Sequence, residues 1–238
     1  MPRIQRRKAA FAAKRFQPYA KKGRHTERKE FLRRLQKLPT DFKPAIEQAK
    51  ITASVSRLIA EGLHRAGIAI DANLVEKAHL ARPMFRHLGG GSAEHFKAGL
   101  AMPRHTKVTK EVLERVFKNP NLGEMVGKYY SLGKEGVLKG IKAEDAAFLI
   151  GGYMTWGVKN PKSGKWAYSI WLPSEIYRKN IAIASRLQGN QKAERKDFLE
   201  KEYKNGVVPL VQWLGLMGID LSAIKGQING KIKAGKIR

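Results

Sequence analysis

Basic side chains crowd the first 38 residues: Arg3, Arg6, Arg7, Lys8, Lys14, Arg15, Lys21, Lys22, Arg24, Arg28, Lys29, Arg33, Arg34 and Lys37. Only Glu27 and Glu30 oppose these fourteen, which leaves +12. At this density, ammonium and guanidinium groups do one kind of chemistry. They displace the counterions condensed on a polyanion, a gain that needs no folded pocket and no particular base sequence. Up to Phe31 the arm's large apolar side chains beyond Met1 are few (Ile4, Phe11, Phe16, Tyr19, Phe31), so it has little with which to fold alone. The stretch Lys225 to Arg238 repeats the pattern without any acid, carrying Lys225, Lys231, Lys233, Lys236 and Arg238.

A third basic group, Lys159, Lys162 and Lys165, is interleaved with Trp156, Trp166, Tyr168 and Trp171. Rings in such a setting offer stacking faces to bases while the lysines contact phosphates. Core packing is the competing use of the rings, whereas Lys162 is costly to bury. The expected nucleic-acid contacts are therefore Arg3, Arg6, Arg7, Lys8, Lys14, Arg15, Lys21, Lys22 and Arg24 in the arm, Lys159, Lys162 and Lys165 in the middle, and Lys231, Lys233, Lys236 and Arg238 at the end. Phosphate attraction distinguishes neither DNA from RNA nor one sequence from another.

Other chemistries find weaker support. A metal-dependent nuclease needs carboxylates gathered on a divalent ion, often beside a lysine. Glu27-Arg28-Lys29 and Glu194-Arg195-Lys196 have the Glu-x-Lys spacing, with Asp41 or Asp145 as upstream partners. Both fall in charged helical stretches of the kind that form solvated faces, so a nuclease, with Glu194 and Lys196 as its least improbable site, is the alternative reading. Of His25, His64, His79, His87, His95 and His105, none lies in an HExxH arrangement. His79, His87 and His95 recur every eight residues, but Pro83 and Gly89 to Gly91 prevent one straight helix from aligning them. No metal site, cofactor or catalytic residue is expected. His87-Leu88-Gly89-Gly90-Gly91-Ser92 lacks the GK[ST] ending of a P-loop, and no G-x-S-x-G nucleophile turn occurs. That stretch reads as a helix connector, with contact to a phosphate group as its second use.

The whole chain has 238 residues, 47 Lys+Arg against 20 Asp+Glu, and a net charge of +27. Subtracting +12 for the arm and +5 for the tail leaves +10 for the body, so both ends are charged out of proportion. Surplus like charge repels itself in a compact fold, and an excess this large implies an acidic partner. Nucleic acid is preferred over an anionic membrane surface because the basic residues are dispersed rather than gathered on one amphipathic helix. No run of about eighteen apolar residues exists to span a bilayer. The start of the chain lacks the apolar core of a secretory signal; its Arg-rich, acid-poor composition is shared with organelle transit peptides, but a retained binding arm is the preferred reading. Cysteine is absent, which removes disulfides, thiolate nucleophiles and Cys-based zinc sites.

Hydrophobic residues make up 42% of the chain, enough for a folded body. Thr26 to Leu38 reads as a short helix stopped by Pro39. Thr40 or Asp41 then caps a helix to Arg65, closed by Gly67. Asp71 caps another to Ala81, where Pro83 disrupts it. Short helices follow over Ala93 to Leu100, Lys110 to Phe117 and Leu122 to Leu132, the last weakened by glycines. Lys142 onward is helical. Tyr153 to Leu172 reads as a hairpin about the turn Lys159 to Gly164, the competing reading being a helix, a loop and a lone extended segment. Pro173 to Leu187 and Gln191 to Tyr203 are helical, with Asn205-Gly206 ending the second. Val207 to Met217 is apolar almost all round and so expected to be buried, and Asp220 or Ser222 starts a last helix or fraying tail.

The expectation is a mainly α protein: an irregular helical body (39–224) containing one β-hairpin (about 153–172), between extended basic N-terminal (1–38) and C-terminal (225–238) arms. Its expected function is non-enzymatic, binding the phosphate backbone of nucleic acid within a large assembly of the nucleocapsid or ribosomal type. Its other partners would be protein subunits of that assembly, including copies of itself joined through Val207 to Met217. The cellular compartment is not specified.

Overall fold

The computed structural model describes Arg33, residues 43–87 and residues 141–237, and the architecture below is that of these residues. They are mostly helical with one two-stranded antiparallel sheet. The helices expected at Ala93 to Leu100, Lys110 to Phe117 and Leu122 to Leu132 lie outside them, as does Thr26 to Leu38 apart from Arg33, which is helical.

Helix α1, Lys43–Arg65, follows from apolar and small residues at helical spacing: Ala49, Ala53, Ile59, Ala60 and Leu63 are buried along one face together with Thr52 and Ser56. Its end is closed by a Schellman arrangement. Gly67 takes φ 89°, its N–H donates to the His64 carbonyl (3.0 Å), and the Ile68 N–H donates to that of Leu63 (3.0 Å). Helix α2, Ala72–His87, starts at Asp71, whose Oδ1 accepts from the N–H groups of Asn73 (2.9 Å) and Leu74 (3.1 Å). The break expected after Ala81 does not occur; α2 runs through Pro83. Proline removes one helical hydrogen bond at a cost of about 3 kcal/mol. Burial of Val75, Ala78, Leu80 and Ala81 against the rest of the core offsets that loss.

Helix α3, Ala143–Tyr153, is the centre of the packing, with every residue from Asp145 to Gly152 buried. Asp145 turns its carboxylate back to accept from the Lys142 N–H (3.3 Å). The chain then reverses into strands β1, Thr155–Lys159, and β2, Trp166–Ile170, paired from Thr155 with Ile170 to Lys159 with Trp166. The hairpin expected over 153–172 is therefore present, with helix ending and strand beginning at Met154.

Helix α4, Pro173–Ala184, begins with proline in its first turn and with Glu175 accepting from the Leu172 N–H (2.6 Å). Helix α5, Gly189–Glu200, passes into a π-helical segment, Lys201–Val207, and then into α6, Val208–Leu216. The stop expected at Asn205-Gly206 is absent. Pro209 has no N–H and its ring would press on the carbonyl one turn back, so the rod widens before it rather than breaking. The full burial expected of Val207 to Met217 is also not found. Val207, Leu210 and Leu214 are buried, but Leu216 is 83% exposed, because the rod meets the core along one side only.

Helix α7, Leu221–Lys233, is capped by Asp220, whose Oδ1 accepts from Ser222 (2.8 Å) and Ala223 (3.1 Å). The basic tail read as starting at Lys225 is thus helical as far as Lys233, and the extended portion is shorter than expected. Ile228 is fully buried, and this packing overrides the weak helix propensity of Gly226 and Gly230. Asn229 fastens α7 to the free edge of β2: its side chain accepts from the Ile170 N–H (2.8 Å) and donates to the Ile170 carbonyl (2.9 Å), as a neighbouring strand would.

Candidate nucleic-acid interface

The hairpin is built as a rigid projection. Asn160 Oδ1 accepts from the N–H groups of Lys162 (2.9 Å) and Ser163 (3.1 Å). The Asn160 carbonyl accepts from Gly164 (2.9 Å), and the Lys165 carbonyl from Asn160 (2.8 Å). Gly164 takes φ 67°, a conformation that disfavours side chains. The turn is thus fixed by its own bonds. From Val158 to Ala167 every residue is exposed, including Lys159, Lys162 and Lys165. Between Asp145 and Glu175 the sequence has no acid, and among the described residues none of the three lysines has a carboxylate within ion-pair distance.

The register places Gly157 opposite Tyr168 and Lys159 opposite Trp166, on the face that continues outward from buried Thr155 and Ile170. The Trp166 and Tyr168 rings lie parallel within 7°, centroids 6.1 Å apart. Gly157 makes room for them: a Cβ there would come within 2.5 Å of the Tyr168 ring and 3.3 Å of the Trp166 ring. The Tyr168 hydroxyl donates to the Pro44 carbonyl (2.6 Å), tying the hairpin to the start of α1. Of the tryptophans singled out in the sequence, Trp166 is 43% exposed, whereas Trp156 and Trp171 are half-buried. Trp171 lies under two ammonium groups, Lys179 Nζ at 3.9 Å and Lys225 Nζ at 5.7 Å from its ring centre.

The C-terminal group divides. Lys233 and Lys236 are exposed and Lys231 is half-buried, whereas Lys225 is held by both oxygens of Glu175 at 2.8 Å. That pair, with the Leu172 N–H on the same carboxylate, keeps the Glu175 carboxyl below its usual range. The partners are fifty residues apart and nothing in the spacing announces them. The hairpin and the end of α7 share an anchor at Ile170, but the lysines of β1, the turn and β2 stand at the far end of the ribbon from it. Arg3, Arg6, Arg7, Lys8, Lys14, Arg15, Lys21, Lys22, Arg24 and Arg238 lie outside the described residues, as do Gly89 to Ser92, His25, His95 and His105. Glu194 is exposed on α5 and Lys196 half-buried; no group of three or more metal-ligating side chains occurs among the described residues. None of their helices is long and apolar enough by itself to cross a membrane.

Two titratable groups, one fully buried and one half-buried, have surroundings that the sequence did not indicate. His79 is fully buried, stacked on Phe148 with ring centres 4.0 Å apart. Its Nε2 lies 2.7 Å from Ser56 Oγ and 3.1 Å from the Phe148 carbonyl. Since a carbonyl can only accept, the contact with Phe148 requires the proton on Nε2. Burial, then the charge of Arg82, holds its pKa well below 6.5. Glu202, in the π-helical segment, is pushed up to about 7 by burial, against the opposing charge of Arg195. Nearby, Tyr177 and Tyr203 stack at 4.2 Å, and burial raises the Tyr153 hydroxyl.

These two groups act on stability in opposite directions. Below pH 6.5 the unfolded chain protonates His79 while the fold excludes the proton, so its contribution is complete above 6.5 and lost as pH falls. Glu202 takes up its proton first in the fold, so its contribution is complete below 4.5 and lost as pH rises through 7. In urea unfolding from pH 4.5 to 8, His79→Gln is expected to gain on the wild type by up to about 1.4 kcal/mol per pH unit on acidification below 6.5. Glu202→Gln should gain on it as pH rises toward 7. Parallel curves for all three chains would remove both assignments.

Comparison with known proteins found no family model, no curated protein and no solved structure that matches the chain.

Proposed function

We propose that this protein binds the phosphate backbone of nucleic acid, without catalysing a reaction on it, as a component of a large nucleoprotein assembly of the nucleocapsid or ribosomal type. The observation that carries this reading is the hairpin. Among the described residues none of its lysines has a carboxylate within ion-pair distance, whereas Lys225 is paired with Glu175, Lys201 with Asp197 and Lys204 with Glu200. A fold that required only solubility would gain nothing from giving its projecting element three exposed lysines and no acid. The net charge of +27 extends the same argument to the whole chain. An assembly, with other protein subunits and copies of this chain as partners, is favoured over a lone binder because both terminal regions and the hairpin offer sequence-independent phosphate contacts.

The test is the salt dependence of binding. Replacing Lys159, Lys162 and Lys165 together by Gln is expected to lower the slope of log K against log salt by about 2 to 3 units, at roughly 0.7 to 0.9 per lost phosphate contact. The thermal midpoint should not move, since all three side chains are exposed. An unchanged slope would take the hairpin out of the interface. Absence of salt-dependent binding by the intact chain would overturn the reading, and tight binding to anionic vesicles alone would replace it with a membrane-surface function.

A further inference from the structure

Phosphate attraction accounts for the lysines of the hairpin but not for the ring set among them. Trp166 belongs to the ribbon's inner face, yet it lies beyond the core and is 43% exposed. An exposed indole at the end of a projecting ribbon loses hydrophobic stabilisation unless something covers it. It is also held in place. Tyr168 lies parallel beneath it, Gly157 clears the space for both rings, and the Tyr168 hydroxyl is anchored on the Pro44 carbonyl at 2.6 Å. The turn beyond is locked by Asn160. The ordering that usually opposes capture of a ligand by a flexible side chain is therefore already complete in the fold.

Resting on the nucleic-acid reading, we propose that this face takes single-stranded nucleic acid, with one unpaired base stacked on Trp166 and the flanking phosphates met by Lys159 and its neighbours. Lys159 is directly opposite Trp166 across the ribbon and shares its face; Lys165 precedes Trp166 in the chain, and Lys162 is at the tip. A ring flanked by exposed ammonium groups is the arrangement by which strands are held without regard to sequence, since every base has a π-face and every linkage a charge. A duplex offers the lysines the same phosphates but keeps its bases stacked on one another, so it leaves the indole uncovered. Charge complementarity and the preset ring together favour a strand over an acidic protein, which would satisfy the lysines alone.

The experiment uses the full chain and labelled 20-mers at matched salt: a thymidine strand, the same strand with abasic sites in place of bases, and a duplex. Wild type is expected to bind the thymidine strand about 5- to 150-fold more tightly than the abasic one, the range for stacking of a single base. Trp166→Ala should bind the two equally and keep the wild-type salt slope and duplex affinity, and Trp166→Phe should restore most of the preference. The abasic comparison requires no variant, so a misfolded Trp166→Ala would not leave the proposal undecided. Equal affinity of wild type for the base-bearing and abasic strands overturns the stacking proposal while leaving backbone binding intact. So does a preference for base-bearing strand that survives unchanged in a folded Trp166→Ala. Failure to bind any of the three oligonucleotides overturns both.

Discussion

Removal of residues 1–24 is expected to flatten the salt dependence of nucleic-acid binding by up to about 6 to 8 units in the slope of log K against log salt. The deleted segment carries Arg3, Arg6, Arg7, Lys8, Lys14, Arg15, Lys21, Lys22 and Arg24 and no acid. Each contact of such a residue with a phosphate releases about 0.7 to 0.9 of a counterion, and the upper limit is reached if all nine make one. Partial engagement gives a proportionate fraction, so the loss counts the contacts directly. The effect should be the same on DNA and RNA of equal length and strandedness, because backbone attraction reads neither base nor sugar. Fluorescence anisotropy between about 50 and 400 mM salt reads the slope, and circular dichroism of the truncated chain checks that the body stays folded. A slope that survives the deletion would make the arm a bystander and leave the hairpin and α7 as the sites of binding.

The second large effect concerns the body. Gly151→Ala is expected to destabilise the fold by about 3 kcal/mol or more, at the upper end of overpacking substitutions. A Cβ at Gly151 would collide with Ser56 Oγ and stand 2.9 Å from Ser56 Cα, so the obstruction is the backbone of α1 as well as a side chain that could turn away. One of the two helices must retreat. Ser56 is hydrogen-bonded to His79 of α2, and His79 to the Phe148 carbonyl of α3, so retreat opens the junction of three helices at once. The apolar side chains about it, Ile59, Phe148, Leu149 and Ile150, are all fully buried and have no slack to absorb the shift. A fall in thermal midpoint of roughly 6 to 12 °C is the corresponding reading. Ser56→Gly introduced into the Gly151→Ala chain should recover part of the loss by removing Oγ and Cβ from the contact. Full stability of Gly151→Ala alone would mean that α1 and α3 do not meet as closely as described.

Composition and periodicity by themselves determined a good deal. The surplus of positive charge, its concentration at both ends and the acid-free interval from Asp145 to Glu175 are properties of the chain in any conformation. Apolar spacing was enough for α1, and capping and turn residues for the starts of α2, α4 and α7 and for the reversal within Lys159 to Gly164, since each of these is decided within a few residues. Local signals failed where distant packing outweighs them. Pro83 stays inside α2 and Gly206 inside the rod because the faces around them are buried, and burial exceeds the local cost of either residue. The tail from Lys225 becomes a helix because Ile228 finds the core and Asn229 finds the edge of β2. Only the tertiary structure decided which charges and rings are free to act. Lys225, one of the tail's five basic residues, is neutralised by Glu175, and Trp171 lies half-buried beneath ammonium groups, whereas Lys159, Lys162, Lys165 and Trp166 are left exposed together. Charge is fixed by composition, but availability depends on partners brought close by folding, and sequence separation carries no measure of that distance.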